Sequence, residues 1–141
     1  MFRKEKNRVL IIEDCIYSLI TLRSIMDTAN LTSFSASGNN GLALAIKEEP
    51  DVILLEILLK DRDGLQVLKE LKTNVWTKDI PVIIVTKLNT QEYWDDAYAL
   101  GADGYVVKMD HYSYLIKKIK ENLRDKANER REFTLEEVLA C

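Results

Sequence analysis

The stretch from Asp51 to Gly64 constrains the fold more than any other part of the chain. Val52-Ile53-Leu54-Leu55 is an unbroken apolar run that ends on an acid, Glu56, and then breaks into a charged loop, Lys60-Asp61-Arg62-Asp63, closed by Gly64. A short apolar run flanked by turn residues reads as a strand buried on both faces. Such a strand needs a covering layer on each side, which is the situation inside a parallel α/β sheet. Glu56 stands at its carboxyl end, where ligands bind in sheets of this kind. A carboxylate there is not packing.

The remainder of the chain supports that architecture. Val9 to Ile12 is a short β-branched-rich strand ending at Glu13-Asp14. The period then changes. Ile16, Leu19, Ile20, Ile25 and Met26 recur near helical spacing, with Asp14 or Cys15 at the start and Ala29-Asn30 at the end. Thr32 to Ala36 is short and polar, as an edge strand is. Ser37 to Gly41 reads as a turn cluster, and Leu42, Ala45 and Ile46 mark a second helix that stops before Pro50.

Leu65, Leu68 and Leu71 mark a third helix, and Pro81 to Thr86 a fourth strand with Pro at its first residue. Thr90 to Leu100 is a fourth helix with Gly101 as its cap; Tyr93, Ala97 and Leu100 face the sheet. Tyr105 to Val107 is a fifth strand ending at Lys108. Tyr112, Leu115, Ile116, Ile119 and Leu123 give an amphipathic fifth helix with Lys117, Lys118 and Lys120 outside. Strands alternating with helices imply a doubly wound parallel sheet with right-handed crossovers and helices on both faces. Four strand ends then carry reactive side chains: Glu13-Asp14, Glu56, Thr86 and Lys108.

Composition narrows the function. The formal net charge of -3 creates no field that would draw nucleic acid or an anionic membrane. No apolar run approaches the roughly 20 residues that span a bilayer. Cys15 and Cys141 lie at opposite ends and form no metal-ligand spacing, which suits free thiols in a reducing cytoplasm. No Gly-rich phosphate loop follows the first strand, and no nucleophile–base pair is visible, so nucleotide binding and enzymatic activity are the least favoured classes.

The strand-end residues, in order, resemble the receiver domain of two-component response regulators. An acidic pair follows strand one (Glu13-Asp14), an acid follows strand three (Glu56), Asp63-Gly64 closes the next loop, Thr86 ends strand four, and Gly101-Ala102-Asp103-Gly104-Tyr105-Val106-Val107-Lys108 matches the last strand and its Lys. The likeness covers about residues 8 to 124. It implies a flavodoxin-like five-stranded sheet of order 2-1-3-4-5. It also implies a phosphoacceptor position at Glu56 and Mg²⁺ held by Asp14, Glu13 and Glu56, with the Leu58 carbonyl as a further ligand. Thr86 would contact phosphoryl oxygens, Lys108 would neutralise them, and Tyr105 would turn inward as a switch. Phosphoryl transfer is mainly positioning and charge neutralisation, so it calls for a cation, a hydroxyl and a nucleophile at one spot.

The sequence departs from the family pattern at the central position, where Glu56 replaces Asp. One added methylene displaces the carboxylate by about 1.5 Å. A misplacement of about 1 Å can cost on the order of a hundredfold in rate. Lys60 and Met109 also replace prolines usual in the family, and a trans bond is expected before Met109. His111 has no partner in sequence and reads as a solvated residue at a helix start. Residues 125–141 form a charged continuation followed by Thr134-Leu135-Glu136-Glu137, a capping-box pattern, and the apolar Val138 and Leu139.

The expectation is a stand-alone receiver-like domain over residues 1–124 with a helical extension over 125–141. It would be a pseudo-receiver acting by protein–protein contact, with a sensor histidine kinase or another signalling protein as partner. A homodimer could form through the fourth helix, fifth strand and fifth helix, where Glu92, Asp95 and Asp96 oppose Lys117, Lys118 and Lys120. One alternative is a conventional Mg²⁺-dependent phosphoacceptor using Glu56 or a neighbouring Asp. Another is a small-molecule binder in the same crevice.

Overall fold

A computed structural model describes residues 7–108 and 112–123. The order of elements is β1 (Arg8–Ile12), α1 (Ile16–Thr28), β2 (Thr32–Ala36), α2 (Gly38–Glu48), β3 (Val52–Leu55), α3 (Gly64–Thr73), β4 (Val82–Thr86), α4 (Gln91–Ala99) and β5 (Gly104–Val107). Residues 112–123 form a further helix, α5. All strand pairs are parallel, in the order β2-β1-β3-β4-β5. The flavodoxin-like expectation therefore holds, including the edge position of the polar β2.

The alternation of side chains along each strand builds two cores. Leu10, Ile12, Ile53, Leu55, Val82 and Ile84 face α2, α3 and α4, joined by Val67, Leu68, Leu71 and Ala97. Val9, Ile11, Val52, Leu54, Ile83 and Val85 face the other way, against Leu22 and Met26 of α1 and Leu115 and Ile119 of α5. The central strands are buried at every position because neither face meets water.

Two readings of the sequence need correction. Gly38 to Gly41 is the first turn of α2, not a turn cluster. Its Asn39 N–H is satisfied by the Asp61 carboxylate at 2.9 Å, a cap supplied from a distant loop. Gly38 has the room for it: a Cβ there would lie 2.7 Å from Asp61 Oδ1. On α1, Met26 is buried and Leu19 and Ile25 pack against the same core as expected, but Ile16 and Ile20 are exposed and Leu22 is buried in their place. Met109, His111 and residues 125–141 lie outside the described residues.

The register sets up the site. Ile12 pairs with Leu55, Leu55 with Ile84, and Thr86 with Val107. The strands thus end nearly level, and the next residues, Glu13, Glu56 and Lys108, emerge at one edge of the sheet. Backbone bonds continue the ladder one step: Glu13 N–H donates to Ala36, Glu56 N–H to Ile12 and Lys108 N–H to Thr86.

Candidate functional site: a carboxylate pocket at the strand ends

Lys108 is the centre of the pocket. Its Nζ donates to Glu13 Oε1 at 2.5 Å, to Glu56 Oε1 at 2.7 Å and to Ser18 Oγ at 3.1 Å. The three charged side chains are almost wholly buried, at 4%, 2% and 6% exposure for Lys108, Glu13 and Glu56. Burial works against the Lys108 charge, but its hydrogen bonds to Glu13 and Glu56 outweigh that and hold the ammonium above its ordinary pKa.

Glu56 has a second set of donors. Its Oε2 accepts the backbone N–H of Ile57 at 2.8 Å and of Leu58 at 3.2 Å. The longer Glu side chain folds back onto the two amides that follow it. Gly64 makes room for this turn: a Cβ there would lie 2.2 Å from the Glu56 carbonyl oxygen. Glu13 is less well served. Burial pushes its carboxyl above the ordinary range, Lys108 offsets this only in part, and nearby Glu56 adds to the rise. Its Oε2 is buried without a hydrogen-bond partner.

Of the acidic residues expected together, Asp14 stands apart. It is half-buried, and its Oδ2 accepts the Lys60 backbone N–H. Among the described residues, Glu13, Asp14 and Glu56 do not gather into a group of metal ligands. Lys108 stands between Glu13 and Glu56, and both Glu56 oxygens are engaged. One unpartnered carboxylate oxygen beside an ammonium does not fit a divalent cation as the residues now stand.

Thr86 and Tyr105 belong to a second chain of contacts. Thr86 is fully buried, and its hydroxyl accepts the Leu88 N–H at 3.4 Å. Tyr105 is 1% exposed and donates its O–H to the Leu88 carbonyl at 2.7 Å. Its ring stacks on Trp94 with centroids 4.8 Å apart and planes at 25°. Burial, reinforced by the Glu56 and Tyr93 charges, pushes the phenol up to about 12. Cys15 is half-buried, and its thiol is pulled below the ordinary value chiefly by the Ser18 backbone N–H.

The loop after β3 frames the pocket. Four successive residues are each tied elsewhere: Lys60 N–H to Asp14, Asp61 to the Asn39 N–H, Arg62 to Glu70 through two bonds of 2.7 and 2.6 Å, and Asp63 to the Leu65 N–H at the start of α3. Sequence reading missed Ser18, Trp94 and the Asp61 cap. Ser18 had a weak signal, its place in the first turn of the helix after the acidic pair. Trp94 and Asp61 had none, because their partners are remote in sequence.

The model of the response regulator receiver domain matches residues 9–120. A CheY-like receiver domain protein from Methanospirillum hungatei JF-1 superposes with a TM-score of 0.80 at 26% identity, over 89% of this chain and 99% of that one. The chemotaxis protein CheY4 of Vibrio cholerae gives 0.78 at 24% identity, over 84% and 100%. The receiver domain of sensor histidine kinase PA1611 from Pseudomonas aeruginosa PAO1, which has a magnesium ion coordinated in its active-site cleft, gives 0.77 at 17%, over 84% and 98%. Receiver domains are the signalling modules of two-component systems, where their partners are sensor histidine kinases. With its sheet order, its level strand ends and a match spanning most of its length, this chain belongs to the response regulator receiver domain family.

Proposed function

We propose that this chain is a pseudo-receiver, a two-component signalling module that works through protein–protein contact with little or no phosphorylation. One observation carries the reading: the Glu56 carboxylate already holds an ammonium and two consecutive backbone N–H groups. Such donors are what a phosphoryl group on a shorter side chain would need. Here the acceptor residue's own carboxylate consumes them. Both of its oxygens are hydrogen-bonded, which lowers its nucleophilicity as well as filling the space.

Lys108 supplies the cationic role, bridging Glu13 and Glu56. The buried, stacked position of Tyr105 fits a domain whose pocket is held in one filled state. The partner is then a sensor histidine kinase or another signalling protein, met through the domain surface. Direct contact with nucleic acid or membrane has no support in the charge pattern. The face made by α4, β5 and α5 is a candidate for self-association, with acidic α4 opposing basic α5. The receiver unit is assigned to residues 1–124 and the extension to 125–141.

A second reading keeps Mg²⁺. The unpartnered Glu13 Oε2 leaves one ligand position for it, but the ion needs Lys108 to withdraw from between Glu13 and Glu56. Under it, Glu13 and Asp14 would hold the ion, and Glu56 or a neighbouring Asp would act as a conventional acceptor.

Incubation with Mg²⁺ and a small phosphodonor, followed by intact-mass measurement, separates the two. The pseudo-receiver gives no stoichiometric adduct, whereas Glu56→Asp restores one. A stoichiometric adduct on the wild-type chain overturns the proposal.

A further inference from the structure

Helix α1 leaves an apolar face uncovered. It carries no charged residue from Ile16 to Leu22; the first is Arg23. Ile16, Tyr17 and Ile20 are 60%, 80% and 61% exposed. Residues at these spacings are neighbours on a helix surface and form one patch. A surface helix ordinarily turns a polar face to water, so this face calls for a cover.

We propose that the cover is the segment Phe133 to Leu139 of the same chain. Helices α1 and α5 share one side of the sheet, and Leu123 packs against the cluster that contains Leu22 and Met26. Both helices run back from the pocket end of the strands, so the chain leaves Leu123 on α1's side of the sheet, at the end away from the pocket.

The reach suffices. Residues 124–132, taken as a linker and not as a continued helix, can span up to about 30 Å. The 13 residues of α1 rise about 20 Å.

The segment also has suitable chemistry. The spacing of Leu135, Val138 and Leu139 is that of one helical face behind the Thr134–Glu137 capping-box pattern, a spacing that Glu136 and Glu137 do not share. The α1 patch has no charge to pair, so the contact is apolar. A tethered segment meets this patch at an effective concentration on the order of millimolar, well above that of a second copy in dilute solution. This favours the chain's own segment over a second copy.

The docked segment would run toward the pocket end of α1. It would bring Cys141 to the neighbourhood of Cys15, the residue that caps α1. It would also lie beside the cavity lined by Cys15, Tyr17, Ser18 and Lys108. The two cysteines of the chain are thus a built-in proximity probe.

The test uses the full chain, diluted and treated with diamide, a thiol oxidant. Docking predicts a Cys15–Cys141 disulfide within one molecule, formed at a rate independent of protein concentration. The pairs Leu135→Asp with Val138→Asp, and Ile16→Asp with Ile20→Asp, should each slow it by about tenfold or more, since they remove the contact that raises effective concentration. The α1 pair lies at exposed positions, and an unchanged thermal unfolding curve by circular dichroism is the check that it still folds. Three outcomes overturn the proposal: no intramolecular disulfide, one whose rate neither pair changes, or only intermolecular disulfides whose yield rises with protein concentration. The last would assign the face to a second copy.

Discussion

Replacing Lys108 by Met keeps an apolar stem of similar length and removes one charge from the centre of the pocket. The lost ammonium lies 2.5 Å from Glu13 and 2.7 Å from Glu56, with all three side chains nearly inaccessible to water. Two carboxylates are left without a counter-charge. Glu56 keeps the N–H groups of Ile57 and Leu58, but Glu13 loses the bond it had to Lys108. Breaking a buried pair from one side costs about 3–5 kcal/mol.

The pH dependence follows from Glu13. Its folded pKa is raised above the unfolded value even beside Lys108. Its contribution to stability is therefore full below the ordinary carboxylate range and is lost as pH rises through the folded value. Loss of the ammonium raises that value further. The Lys108 contribution has the same sign, but its folded pKa lies above that of an ordinary lysine, so it persists across neutral pH. The penalty of the substitution is then smallest in mild acid and grows toward neutrality.

Urea denaturation of Lys108→Met, Glu13→Gln and the double variant, at pH about 5 and about 8, reads this out. At the higher pH the single Lys108 variant should lose about 3–5 kcal/mol. At the lower pH the loss should shrink by about 1.4 kcal/mol for each unit by which the Glu13 pKa rises, to the extent that Glu13 is protonated there. The double variant should recover part of the loss, because a neutral amide in place of the Glu13 carboxylate needs no counter-charge. A loss under about 1 kcal/mol that does not vary with pH would refute the claim that Lys108 is the buried counter-ion.

Two further outcomes test the frame around the pocket. Gly64→Ala drives a Cβ into the backbone of Glu56 and Ile57, at 2.2 and 2.5 Å, where no side chain can swing aside; it should cost at least the roughly 1–3 kcal/mol of overpacking, and an unchanged Tm would count against the turn described. Tyr105→Phe removes the 2.7 Å bond to the Leu88 carbonyl, at about 0.5–1.5 kcal/mol. It should also delete the component titrating at about 12 from the alkaline tyrosine absorbance curve, and a curve that keeps that component would refute the assignment.

Much of this was legible in the sequence because it depends on local pattern. The apolar run ending at Glu56 fixed a central strand, the polar Thr32 to Ala36 fixed an edge, and Leu115, Ile116 and Ile119 fixed a helix face. The level strand ends then brought Glu13, Glu56 and Lys108 together as the spacing implied. What was not legible depends on contacts between distant residues. The start of α2 was misread because Asp61, from another loop, meets its Asn39 N–H. Asp14 was expected beside Glu56, but its carboxylate is taken up by the Lys60 backbone. Ile16 and Ile20 were read with Met26 as one stripe, yet the sheet meets Met26 and Leu22 and leaves the two isoleucines outside. Side-chain type and period do not say which of two apolar stripes a helix will bury.

The loop from Lys60 to Asp63 bears on how the pocket meets any ligand. Each of its four residues is tied to a different group: a strand end, a neighbouring helix start, the body of α3 and the first turn of α3. These ties order the mouth during folding, so a molecule arriving there bears less of the entropy of assembling it. The Lys60 N–H, bound to Asp14, and the Asn39 N–H, bound to Asp61, should both exchange more slowly than free loop amides.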